Sequence, residues 1–74
     1  MTWTDEEIAE RIAHAGSIED ARYILHRFKD RLTFDLLHHA ADLERALWPK
    51  PRLTLIRLLE TRARKAAKKA TNIG

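Results

Sequence analysis

The sequence predicts an all-α fold, a small bundle of three to four short helices with a long basic C-terminal helix. Only two glycines and two prolines interrupt the 74 residues. Ala, Leu, Arg and Glu are abundant, β-branched residues are too few for a sheet, and apolar residues recur at three- and four-residue steps. A chain of this length forms at most one domain, so we expect residues 1–74 to be a single helical domain.

The first helix is predicted over residues 5–15 because a capping box precedes it. Thr4 is placed to cap the first turn, and Glu7 follows three residues later to complete the box. Gly16 is placed to end the helix. The chain therefore starts with a short helix whose first turn is acidic, as suits the positive end of the helix dipole.

Two further helices follow, each with its own N-cap. Ser17 begins a helix over 18–31, and Thr33 begins one over 34–47. Pro49-Lys50-Pro51 ends the latter, because proline can neither continue the helical hydrogen bonds nor follow an α-helical residue easily. Apolar stripes on the two helices consist of Ile18, Ala21, Leu25, Phe28 and Leu32, and of Leu36, Ala40, Leu43 and Leu47.

The fourth helix is predicted over 52–70, and its apolar side changes character at Glu60. Leu and Ile come before this residue and only alanine after it. Burying a Leu contributes about 1.5 to 3 kcal/mol, whereas an alanine methyl contributes less than about 1 kcal/mol. Residues 62–74 are therefore predicted to be weakly held and to project beyond the core.

Charge is strongly segregated along the chain, and this suggests nucleic-acid binding. Residues 1–49 carry six Arg/Lys and ten Asp/Glu, whereas residues 50–74 carry eight Arg/Lys and one Glu. Cations on one exposed helix can neutralise phosphates without reading bases, because no aromatic residue is interleaved with them. The alternative is a solvated helix end whose cations favour the negative pole of the dipole. The candidate nucleic-acid-binding residues are Arg57, Arg62, Arg64, Lys65, Lys68 and Lys69.

Residues 17–47 can also be read as a helix-turn-helix, but the third helix is a poor recognition helix. It offers acidic residues such as Asp35, Asp42 and Glu44 where bases are usually contacted by Arg, Asn, Gln, Ser or Thr. If DNA is bound, the fourth helix is the better candidate.

Catalytic and metal-binding patterns are absent from the sequence. There is no cysteine and no glycine-rich phosphate loop, and Ser17 is explained by its capping role. His38 and Asp42 have one-turn spacing, but no third metal ligand is identifiable. We therefore expect no enzyme activity, no metal and no cofactor. No apolar run approaches the length of a membrane span, and we expect a cytoplasmic protein.

The small size and the lack of a disulfide or metal predict a homodimer or a tightly bound protein partner. Trp48 precedes the proline turn and is predicted to be half covered, which suits an interface anchor. The alanine side of the fourth helix is too small to hold the helix firmly in its own core. The candidate partner-binding residues are Asp42, Trp48, Ile56, Leu59, Ala63 and Ala67.

The run "SIEDARYILHRFKDRL" followed by "HHAADLERAL" resembles the second and third helices of the Hha/YmoA family of small gene-expression modulators. The resemblance covers residues 8–47, and Pro49-Lys50-Pro51 and a basic helix replace the C-terminal part of the family pattern. It implies binding to a nucleoid-structuring protein of the H-NS type. Asp42, in the Ala-Ala-Asp motif, is the position that would contact basic residues of that partner.

These features lead to two functional hypotheses. The first is a small non-enzymatic regulator of gene expression that contacts a nucleoid or transcription protein through its helical body and nucleic acid through its last helix. The second is a phage- or plasmid-encoded inhibitor, antiactivator or antitoxin that binds protein and not nucleic acid, with its segregated charges serving the protein contact.

Overall fold

The all-α prediction is confirmed. The computed structural model describes residues 2–71, with side chains up to position 68, and contains no strand within that range. The four α-helices are Asp5–Ala13 (α1), Ile18–Arg27 (α2), Phe34–Leu47 (α3) and Leu53–Thr71 (α4), and a 3-10 turn, Lys29–Arg31, lies between α2 and α3.

The predicted N-caps of the first three helices are confirmed. Thr4 Oγ1 accepts from the Glu7 N–H at 3.1 Å, and Glu7 Oε1 accepts from the Thr4 N–H at 2.9 Å, which completes the capping box. Ser17 caps α2 and Thr33 caps α3 by a single hydrogen bond each, from the backbone N–H three residues later to the hydroxyl oxygen, at 3.1 Å and 3.2 Å. Local hydrogen bonds therefore fix where these helices begin.

Two helices end earlier than predicted. Helix α1 ends at Ala13 rather than at 15, and Gly16 has no positive φ, so it does not act as a left-handed C-cap. Helix α2 ends at Arg27 rather than at 31, because the backbone leaves the helical region at Phe28 and continues as a tight turn. That turn leads Leu32 back to the core, against which it is partly buried.

Helix α3 lies at the centre of the bundle, between α1 and α4, and α2 packs on α1. The buried face of α3 includes Leu37, Ala41 and Glu44, whereas Leu47, predicted to lie on the apolar row, is 46% exposed. The largest fully buried apolar side chains are Ile8, Ile12, Leu25, Leu37, Leu55 and Leu59.

The first part of the segment predicted to project is packed on the core. Ala63 is 3% exposed, and Ala66 is partly buried against the same cluster. Alanine is small enough to allow close approach of α4 to the bundle, so a short side chain does not leave this turn of the helix unpacked. Side chains from 69 onward lie outside the described residues.

A buried ion pair joins α3 to the start of α4. Glu44 is fully buried, and its carboxylate accepts hydrogen bonds from the Arg52 backbone N–H at 2.8 Å and from the side-chain Nε at 3.0 Å and Nη2 at 2.8 Å. Arg52 precedes α4, and its carbonyl accepts the first hydrogen bond of that helix. The hydrogen bonds from Arg52 therefore compensate the cost of burying the Glu44 carboxylate, and the same bonds fix the start of α4.

The same arginine reaches α1. The Arg52 guanidinium donates to the carbonyls of Ala13, at 3.1 Å, and Ala15. The Trp48 indole Nε1 also donates to the Ala13 carbonyl, at 2.8 Å, and the guanidinium carbon lies 4.5 Å from the Trp48 ring centroid. These contacts give hydrogen-bond donors to carbonyls at and just after the end of α1, which lack partners within the helix. The positive charge of Arg52 also suits the negative C-terminal end of the α1 dipole.

We expect Arg52→Ala to lower the free energy of unfolding by about 3 to 5 kcal/mol, because it leaves the Glu44 carboxylate buried and unpaired. Arg45→Ala is the matched control, since Arg45 makes exposed ion pairs with Asp42 and Glu60 and should cost about 1 kcal/mol or less. Urea unfolding followed by circular dichroism measures both changes. Equal effects of the two variants would contradict a structural role for the buried pair.

Stability should also fall in acid. Burial raises the pKa of Glu44, but the hydrogen bonds and charge of Arg52 outweigh burial and hold this pKa below its ordinary value of 4.5. Hydrogen bonds with Thr4 also lower the pKa of Glu7. A carboxyl whose pKa is lower in the folded chain stabilises the fold above its unfolded pKa, and that contribution is lost as the pH falls through the folded value.

Urea midpoints measured from about pH 7 down to about pH 3 test this expectation. The wild-type midpoint should decline below about pH 4.5, and Glu44→Gln should show a shallower decline from a lower starting stability. Glu7→Gln, which leaves the buried pair intact, should keep most of the acid dependence. If Glu44→Gln and the wild type declined with the same slope, Glu44 would not be the titrating group.

Candidate functional site

Four cations of α4 lie on the side that faces away from the bundle. At about 100° per residue, Arg57, Arg64, Lys65 and Lys68 fall within an arc of about 100°, roughly opposite the buried side of the helix. All four are exposed. We call these four residues the basic face; Arg62, also exposed, lies on its flank. The Lys69 side chain, also predicted to bind nucleic acid, lies outside the described residues.

The charge of the basic face is not neutralised by the one acidic residue of α4. Glu60 pairs with Arg45 of α3 at 3.0 Å. Within the described residues, Arg57, Arg64 and Lys65 form no ion pair. Their positive charge is therefore available to a ligand from solvent.

The basic face has the dimensions of a contact with a polyanion. From Arg57 to Lys68 the helix rises about 16 Å at 1.5 Å per residue. Duplex DNA carries one negative charge per about 1.7 Å of axis, so a helix laid against it meets several phosphates over this length. The arrangement can bind a phosphate backbone, and α4 itself carries no aromatic residue with which to stack on a base.

Three of the predicted partner-binding residues are buried in the core and not on the surface. Ile56, Leu59 and Ala63 are 4%, 0% and 3% exposed, because this side of α4 packs into the core of its own chain. A partner cannot reach them in this fold, and we remove them from the candidate interface. Ala67 is half-buried.

Asp42 is exposed, but other side chains already contact it. Arg45 Nη1 donates to Asp42 Oδ1 at 3.3 Å, and His38 Nδ1 lies 3.4 Å from Asp42 Oδ2. Residues 42, 45 and 60 thus form an exposed chain of charges between α3 and α4. Among the described residues no three His, Cys, Asp or Glu side chains are grouped to hold a metal ion.

Trp48 is 36% exposed and lies at the connection between α3 and α4, close in sequence to two other exposed apolar residues. Leu47 precedes it and is 46% exposed, and Leu53 follows Arg52 and is 67% exposed. We call Leu47, Trp48 and Leu53 the apolar corner. Three large apolar groups left in solvent around one turn are a candidate protein contact.

Sequence reasoning missed the roles of Glu44 and Arg52. The helix-turn-helix reading of the sequence places Glu44 among the exposed residues of the third helix, and Arg52 is not among the predicted site residues. A signal was present, since Glu44 lies three, four and seven residues after the buried Ala41, Ala40 and Leu37. This spacing places it on the buried stripe, where a carboxylate requires a cationic partner.

Searches of protein-family models, of curated proteins and of solved structures found no match to this chain. The resemblance to the Hha/YmoA family stays a prediction. None of the helices in the described part of the chain is both long enough and apolar enough to cross a bilayer.

Proposed function

We propose that this chain is a small, non-enzymatic, cytoplasmic regulator of gene expression. It binds nucleic acid through the basic face of α4 and a protein through its helical body. The observation that carries the proposal is the concentration of exposed cations on one side of α4. No cofactor or metal has a part in it.

The contact with nucleic acid is made to phosphates rather than to base edges. Arginine and lysine on one helix face release counterions from the backbone, which gives affinity without sequence preference. The acidic part of the chain lies on α1 to α3, on the other side of α4 from the basic face. The basic face can therefore contact a polyanion without bringing most of the carboxylates close to it. Sequence preference, where regulation needs it, comes from the protein partner.

The apolar corner supports the protein contact, and we propose a second copy of this chain as its occupant. A bundle of 74 residues buries only about 60% of the surface that its unfolded chain exposes, and self-association removes more apolar surface from water. The same corner favours the second candidate function, a protein-binding inhibitor, antiactivator or antitoxin that does not contact nucleic acid. The two functions differ in whether duplex DNA is bound.

We expect the wild-type protein to bind a generic DNA duplex, with affinity that falls steeply between about 50 and 200 mM salt. Arg57→Gln/Arg64→Gln should weaken binding on every duplex sequence and lower the slope of log K against log salt by about 2. Fluorescence anisotropy of a labelled duplex, titrated at several salt concentrations, measures both quantities.

The matched control for that experiment is Arg22→Gln/Lys29→Gln. It removes the same charge from exposed positions outside α4, so it should leave the salt slope nearly unchanged. Absence of duplex binding at low salt would reject the nucleic-acid function in favour of the protein-binding inhibitor. Equal loss in the two double variants would show that net charge, and not the basic face, is responsible.

We further expect the wild-type chain to be a dimer in solution and Leu53→Glu to be a monomer. A carboxylate at this exposed position would have to lose its water in the interface, while an acid at a helix N-terminus does not harm the fold. Thr54→Glu is the control, because it adds the same charge at the next exposed residue. Light scattering measures the mass. A stable wild-type monomer, or dissociation by both variants, would count against the apolar corner.

A further inference from the structure

A groove between α1 and α2 combines aromatic rings with arginines. Its volume is about 440 Å³, within the range of small-ligand sites. Trp3, Tyr23 and Phe28 line it together with Arg11, Arg27 and Asp20. These residues are dispersed in the sequence, and the packing of α2 on α1 brings them to one place.

The three rings differ in how open they are to solvent. Trp3 packs against Phe28 with ring centroids 5.8 Å apart and planes at 53°, which makes a tilted aromatic pair. Tyr23 is 63% exposed, so most of its ring is open to a ligand. A flat unsaturated ring can stack on Tyr23 while the edge of the pair supports it.

The cations stand beside these rings. The guanidinium of Arg11 lies 5.8 Å from the Trp3 ring centroid, and that of Arg27 lies 5.9 Å from the Phe28 ring centroid. Both arginines are exposed, so their N–H groups remain available to an anion. With Asp20 as the one carboxylate of the lining, the two guanidiniums leave the groove with a net positive charge.

We propose that this groove binds a nucleotide of single-stranded nucleic acid. The base stacks on Tyr23, and the flanking phosphates accept hydrogen bonds from Arg11 and Arg27. The Asp20 carboxylate can accept an N–H from a base. Aromatic rings beside cations are what a single-strand site requires, and α4 itself contributes no aromatic residue.

Two other grooves do not share this chemistry. The one lined by Phe34, His38 and Arg64, of about 340 Å³, has a single arginine and the carboxylate of Glu60, whereas two arginines outnumber Asp20 in the α1–α2 groove. Another of about 330 Å³ is lined by Asp5, Glu6 and Asp35, and repels phosphate. The proposal therefore concerns the α1–α2 groove alone, and it does not rest on duplex binding by α4.

The experiment measures binding of an oligothymidylate of about ten nucleotides, which spans a typical single-strand site. It is run on the full chain carrying Arg57→Gln/Arg64→Gln, so that a failure of the α4 contact cannot be mistaken for a failure of the groove. Tyr23→Leu should weaken binding by at least about 5-fold, the lower limit for loss of one stacked base, whereas Tyr23→Phe should retain it.

Inorganic polyphosphate, which has charge but no bases, is the control ligand. Arg27→Gln should weaken binding of both polyanions, and Tyr23→Leu should affect the oligothymidylate alone. His26→Ala, an exposed change on the other flank of α2, should affect neither. Circular dichroism verifies that each variant is folded. Equal affinity of Tyr23→Leu and its parent for oligothymidylate, or no binding by that parent, would overturn the proposal.

Discussion

The fold depends on one buried charge pair. Glu44 is placed in the core by the periodicity of α3, and a buried carboxylate is tolerable only with a cation beside it. Arg52 supplies that cation and has donors left over for α1. The bundle thus uses a polar contact where three helix segments meet: the end of α1, the last turns of α3 and the first residue before α4. Apolar packing then supplies most of the stability, while this contact sets how the ends are joined.

Helix α4 has two different sides, and the core requirement explains both. Its inner side must fit against α3 and, over a smaller area, α2, so it carries Leu55 and Leu59 and then alanines that permit close approach. Its outer side is released from packing and can carry charge at nearly every position. Because Glu60 is turned toward Arg45 of α3, the outer side becomes almost purely cationic. The segregation seen along the sequence is therefore a separation in space, with most acids on the earlier helices and a concentration of bases on the outer side of α4.

Local signals in the sequence were sufficient for the starts of the first three helices and for the end of α3 at Leu47, but not for the ends of α1 and α2. Thr4, Ser17 and Thr33 act through hydrogen bonds three residues away, so their role can be read from neighbours. The end of α1 could not be read in this way, since the partner of its carbonyls is Arg52, far along the chain. The same limit applies to the candidate sites. The basic face follows from helical periodicity within one segment, whereas the α1–α2 groove exists only after two helices pack together.

The hydrogen bonds from Arg52 to Ala15 and Ala13 span 37 and 39 residues of chain. During synthesis, the first three helices emerge from the ribosome before the residue that completes their junction. Until then Glu44 has no cation to accompany it into the core, so a compact state of α1 to α3 alone is disfavoured. We therefore expect a chain cut short before Arg52 to be less compact than the full chain, because the cation that compensates the Glu44 carboxylate is missing.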